Sequence, residues 1–288
     1  MDLTPHHFNP AGRLFEFLRH SKQQSRVGVA ATWSGYLGVD EYSVDFFAGV
    51  SEVLALPDHA RDAFASLPSR VKQYLDEDDL EGALTQASTA LDQGTRMLHG
   101  AVDEFTRLYG DDAVTEIKGL SNFLRGEFQG RDGDAAAIEA ATDTFTTVRD
   151  LADELVKALD DDDDLAPDLR LLLLNQALAF RQAVSLSRAG GIEAVGLERD
   201  RAVGLIVAHP TVAAELRRKP KLRIKLLALI AAAGVVASAF NSVIESAEKV
   251  DHLVGIVMAE PDDPKAVTDL PPSSEEGAAP SAPAAPTP

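Results

Sequence analysis

Apolar residues recur at alternating steps of four and three through much of the chain. Leu80, Leu84, Ala87, Leu91, Gly94, Leu98, Ala101, Phe105 and Leu108 form one such stripe, and Ile138, Ala141, Phe145, Val148, Ala152, Leu155 and Leu159 form a second. At 3.6 residues per turn this spacing puts each set on one face of a helix, as in bundles and coiled coils. Two long helices are therefore predicted. Between them Val114, Ile117, Phe123, Leu124 and Phe128 predict a shorter one, stopped by Gly110 and Gly130, with Asp111 and Asp134 as N-cap candidates. A third stripe starts at Leu222, passes through Leu226, Leu229, Ala233, Val236 and Phe240, and continues to Val254. It predicts a long helix opened by Pro220. The stretch Leu169–Phe180 is apolar on several faces and is the expected central partner of that helix.

The N-terminal pattern is more broken. Asn9 and Pro10 read as the N-cap and first position of a helix. Residues 43–56 read as a second helix ended by Pro57, and two short helices follow, each with proline at its start. No segment alternates convincingly enough for a strand, and Val27–Ala31 comes closest. The fold class expected is all-α, an elongated bundle of long helices. Residues 1–75 form a region of short helices, residues 76–260 the bundle, and residues 261–288 a disordered tail. Eight of those last 28 residues are proline, a composition that cannot bury a core.

Charge divides the bundle. Across its 288 residues the chain carries a formal net charge of −19, yet residues 76–168 hold 25 acids against 7 bases, and residues 169–260 hold 8 acids against 12 bases. The acidic section should repel nucleic acid and anionic lipid, so nucleic acid is not the expected partner, whereas the basic section attracts anions. The chain has no cysteine, which excludes disulfides, zinc–thiolate sites and Fe–S clusters and suits a reducing compartment. The first twenty residues lack the basic start and apolar run of a signal peptide. A cytoplasmic location is expected, with membrane association as the variant.

Catalytic and metal chemistry find no anchor. The seven histidines make no HExxH, ExxH or HxH arrangement. His99–Asp103 and Glu248–His252 are spaced i,i+4, which suits surface pairing on a helix. The acidic stretches Asp76–Gly82 and Arg131–Asp134 lack the ligand register of a calcium loop and read as dipole-favoured helix starts. No phosphate loop, dinucleotide loop or nucleophile elbow is present. No catalytic, cofactor or metal-binding residue is assigned, no cofactor is expected, and the chain reads as non-enzymatic. The only tryptophan lies in Trp33-Ser34-Gly35, with Tyr36 four residues before Asp40. Read as a turn at Gly35, this W-x-G beside a Y-x-x-x-D signal resembles elements of WXG-type type VII secretion substrates, and the resemblance implies a helical hairpin and export. In that family the tyrosine motif follows the second helix, whereas here it abuts the tripeptide.

The segment Arg217–Phe240 combines both themes. Arg217, Arg218, Lys219, Lys221, Arg223 and Lys225 crowd into nine residues, and fifteen uncharged residues follow. Fifteen residues span about 22 Å as a helix, short of the roughly 30 Å hydrocarbon core. The stripe Leu226, Leu229, Val236 and Phe240 therefore serves as a core seam or, in another state, as a membrane-inserting face. The six cations are the candidate site for an anionic partner, and the acidic section of the same chain is their internal alternative. The function expected is a helical interaction or scaffold protein working through helix packing, with a protein partner or another copy. The alternative is a membrane-active effector that exposes residues 222–244 on a trigger, and a WXG-like secreted substrate is a third reading.

Overall fold

The protein is all-α. The computed structural model describes residues 4–128 and 134–238, with side chains of 126–128, 134–141 and 237–238 excepted. Among these residues a 3₁₀ turn, Pro5–Phe8, leads into α1 (Pro10–Gln23), α2 (Val29–Leu37), α3 (Val44–Ser66), α4 (Ser69–Lys72), α5 (Glu77–Arg96), α6 (Val102–Thr106) and α7 (Asp111–Phe128). Beyond residue 133 come α8 (Asp134–Asp160), α9 (Pro167–Ser185), α10 (Ser187–Ala208), α11 (Pro210–Arg218) and α12 (Pro220–Ser238). No strand occurs among the described residues, only an isolated bridge between Gly28 and Ala101. The expected tail, 261–288, and the stripe from Phe240 to Val254 lie outside the described residues.

Local chemistry explains the helix starts. The Asn9 side chain accepts from the Gly12 N–H at 2.7 Å, with Pro10 at the first position. The Ser43 hydroxyl accepts from Phe46 N–H at 3.0 Å, and the Asp76 carboxylate accepts from the N–H groups of Asp78 and Asp79. Pro167, Pro210 and Pro220 open α9, α11 and α12, where a missing N–H costs nothing.

Two separate apolar cores result. In the first, α1 packs against α3 and α7, and α5 packs against α3 and α7, around the fully buried rings of Phe17, Trp33, Phe46 and Phe105. In the second, α8 packs on α9 and α12, and α10 packs on the same two helices, giving a four-helix bundle around Leu155, Leu173, Phe180, Val195, Leu229 and Ala233. The acidic helices α5 and α7 belong to the first core with the N-terminal helices. The first core thus extends across residue 75, and the acidic section is shared between the two cores.

Three local expectations are corrected. Helix α3 does not stop at Pro57 but runs through it to Ser66. Phe46, Val50, Val53, Pro57, Ala60 and Phe64 step 4-3-4-3-4 and are all buried, so one packed face continues across the proline and outweighs its missing hydrogen bond. The stripe from Leu80 to Leu108 is not one helix, because α5 ends at Arg96 and the chain unwinds over 97–101. The N-cap of α2 is Gly28, which has no side chain to satisfy the first-turn N–H groups. The unwound segment supplies acceptors instead: Val29 and Ala30 donate to the Gly100 and Leu98 carbonyls, both at 3.0 Å. Finally, Trp33-Ser34-Gly35 forms no turn. It lies inside α2, and the turn comes at Gly38, whose φ of 72° closes the helix in the left-handed region.

Candidate functional site

The six cations of 217–225 straddle a helix junction. Arg217 and Arg218 occupy the last turn of α11, where positive charge complements the carbonyl end of the helix dipole. The break at Lys219 keeps these two off the N-terminus of α12, where positive charge would oppose the dipole. Arg218 donates to Glu215 at 2.7 Å. Lys219, between the helices, places Nζ 2.7 Å from Asp162, within the run of five aspartates that ends α8. Their hydrogen bond holds the Lys219 ammonium above its usual pKa and the Asp162 carboxyl below its own. Lys225 reaches Glu154 of α8 at 2.5 Å, and that hydrogen bond lowers the Glu154 pKa. Lys221 is exposed, and Arg223 is half-buried with its Nε sealed from solvent and without a hydrogen-bond partner. The acidic end of α8 therefore meets the basic junction within the chain.

Beyond that junction α12 is apolar on opposite sides. Leu226, Leu229 and Val236 are buried in the second core, while Phe240 lies outside the described residues. On the outer side Ile224 is 63% exposed and Val235 is 56% exposed. Ala231 is exposed between them and Ala228 is half-buried. No described helix is long and apolar enough to cross a membrane. No three His, Asp or Glu side chains among the described residues are placed to hold a metal.

A second assembly, of which the sequence marked only Tyr36, within a secretion-type motif, lies where α10 meets the first core. Arg13, 4% exposed, donates from Nη1 to Glu193 of α10 at 3.1 Å and to the His7 carbonyl at 3.4 Å, and its Nε has no partner. Against this pair lies Gly191, with φ 74° and ψ −172°, which breaks α10. A Cβ there would stand 2.0 Å from Arg13 Nη1. Tyr36 and Arg188 clasp each other: the Arg188 Nη1 donates to the Tyr36 carbonyl at 2.9 Å, and the Tyr36 hydroxyl lies 3.3 Å from the Arg188 and Arg13 carbonyls. Burial pushes the Tyr36 phenol far above its usual pKa.

His7 completes the joint. Its Nδ1 accepts from the Thr4 N–H at 2.9 Å, which assigns the ring proton to Nε2, 3.5 Å from the Tyr36 hydroxyl. Burial lowers its pKa to about 4, with Arg188 and Arg13 adding to the shift and Glu16 and the Thr4 backbone hydrogen bond opposing it. Glu16, 5% exposed, accepts from the Thr4 hydroxyl and from Arg19 Nε, both at 3.0 Å. His6 and His20 are also lowered, chiefly by burial. His6 Nδ1 lies 2.9 Å from the Ser121 hydroxyl of α7, to which Asn9 also donates at 3.2 Å. Two sequence signals mark this joint: Gly190-Gly191 in the middle of a helical stretch, and the charged pair Arg13 and Glu16 within the otherwise apolar start of α1.

No known protein family, curated protein or solved structure matches the chain.

Proposed function

We propose that the chain is a non-enzymatic helical interaction protein that self-associates through the outer face of α12. The supporting observation is the stripe Ile224, Ala228, Ala231 and Val235, which steps 4-3-4 along a helix whose other face already closes the second core. Singly scattered apolar side chains are ordinary on a protein surface, but four in register make a second seam. Small residues at its centre let a facing helix approach to about 8 Å. The occupant is a second copy in antiparallel orientation, because the stripe is symmetric about its midpoint, with a large residue at each end and two alanines between. A two-fold pairing sets each Ile224 against the other copy's Val235 and each Ala228 against its Ala231.

Sedimentation equilibrium tests this. Ile224→Glu with Val235→Glu weakens self-association by at least about tenfold, a loss of about 1.4 kcal/mol or more, while helical content is unchanged because both side chains are exposed. A wild-type chain that stays monomeric at high micromolar concentration refutes the reading. The uncharged run Leu226–Phe240 favours a second reading, a membrane-active effector that releases residues 222–244 on a trigger. That reading expects dye release from anionic liposomes, which self-association does not.

A further inference from the structure

Helix α10 belongs to both cores. Ala189, two residues before the break, is buried in the first, whereas Ile192 and Val195, just after it, are buried in the second. The break itself is one residue, Gly191, in a backbone region open essentially to glycine alone. Among the described helices of the second group, α10 is the one that packs broadly on the first group, against α1, α2, α3 and the 3₁₀ turn. The fastening at this joint combines apolar contacts, Leu186 against Gly49, Phe8 against the second core and Ala189 in the first, with the Tyr36–Arg188 clasp, the Arg13–Glu193 pair and a hydrogen bond from Gln182 to Asp45 at 3.1 Å. Because α9 and the rest of α10 both belong to the second core, the short turn between them latches the α8–α12 bundle onto the first.

We propose that this joint is an acid-sensitive latch, in which protonation of His7 releases the first turn of α10 from α1 and α2 and with it the α8–α12 bundle from the first core. The Nδ1 of His7 accepts from the Thr4 N–H, so a proton taken there breaks that bond and is left with the Thr4 hydroxyl oxygen, 3.0 Å away and itself donating to Glu16, as its acceptor. It also places a cation beside Arg13 of α1 and Arg188 of α10. The charges around it do not compensate. From α1 come Arg13, Arg19, His20 and one carboxylate, Glu16, already engaged by Thr4 and Arg19. From α2 comes the neutral phenol of Tyr36, and from α10 come Arg188 and Glu193, the latter held by Arg13. From α7, Lys118 and Arg125 bear on the adjacent His6 as further cations. The imidazolium is thus surrounded by more positive than negative charge in a site closed to water. The sign follows from the folded ring having the lower pKa. The closed joint loses stability as pH falls from 6.5 towards about 4 and changes no further below that. Two and a half units correspond to a fall of up to about 300-fold in the closed-to-open ratio.

The chain has no cysteine, so a labelled pair is unambiguous. Asp92→Cys on α5 and Asp163→Cys after α8, both exposed, carry spin labels whose separation is measured from pH 7 down to pH 4. The distance is expected to lengthen and broaden reversibly in acid, while Trp33 emission, which reports on the first core, does not shift. In His7→Gln, whose amide oxygen can accept from Thr4 but does not titrate, the distance stays at its neutral-pH value throughout. An unchanged wild-type distance, the same acid response in His7→Gln, or a Trp33 shift coincident with the distance change each overturns the proposal. Hydrogen exchange in the unlabelled wild-type chain gives the same decision without any variant. Protection of the Ala189 and Gly190 amides falls in acid before that of α1, and uniform loss or no loss refutes the latch.

Discussion

Glycine has opposite roles at two positions in this molecule. At Gly191 a Cβ would lie 2.0 Å from Arg13 Nη1 and 2.2 Å from Glu193 Oε2, in a backbone conformation that L-residues do not hold. Gly191→Ala therefore adds about 1–3 kcal/mol of backbone strain and pushes apart an ion pair whose arginine is buried, which costs several kcal/mol more. Chemical denaturation should show a loss above about 3 kcal/mol, or a chain that no longer folds. At Gly35 the reverse holds. It is exposed, lies within α2, and has nothing within 4 Å of the position a Cβ would take. Gly35→Ala should raise stability by about 0.5–1 kcal/mol through helix propensity, seen as a higher denaturation midpoint. That outcome would also show that the glycine of the Trp33-Ser34-Gly35 tripeptide has no structural duty. Trp33 does have one: its ring packs on Gly94 so closely that a Cβ there would meet it at 2.6 Å.

Helices were legible in the sequence wherever one apolar face met no competing signal. The stripe from Phe145 to Leu159 is buried throughout on α8, and the caps at Asn9, Pro10 and Pro220 stand where the residue types place them. The failures arose where two signals conflicted and the weaker one was followed. Pro57 reads as a helix stop, yet it sits at a stripe position of α3 with the same buried face on either side. The opposite conflict occurred after Arg96, where the stripe ran on to Leu108 but the carbonyls of 98–100 were needed by α2. That demand comes from a helix some seventy residues earlier, and no local pattern records it. The joint at α10 stayed hidden for a related reason, because Arg13, His7, Tyr36, Arg188 and Glu193 come from four distant segments. A consequence can be measured at α3. Pro57→Ala loses some ring packing but restores an N–H to the helix and removes a helix-interior penalty of about 3 kcal/mol. The variant should be more stable than the parent by about 1 kcal/mol in urea denaturation, since Ala keeps part of the buried contact. A variant less stable than the parent would mean that packing of the ring carries α3 through this position.

Among the described residues, two apolar cores meet at one broken helix, and this bears on how the molecule unfolds. A single cooperative transition requires that the loss of one core expose enough apolar surface in the other to melt it. Here the apolar contact between the described parts of the two groups is small, with Ala189 in the first core, Leu186 against Gly49 and Phe8 against the second core, and the rest of the fastening is polar. The cores should therefore melt separately, and the sole tryptophan makes this observable. Trp33 is fully buried in the first core, whereas far-UV circular dichroism reports on the helices of both. Leu229 is fully buried in the second core, and Leu229→Ala should lower that core's stability by about 2–5 kcal/mol. Circular dichroism of the variant should then show an earlier loss of part of the helical signal, while the Trp33 emission midpoint stays where it is in the parent. A Trp33 midpoint that moved with the circular dichroism would mean that α10 transmits stability between the cores and that the molecule unfolds as one unit.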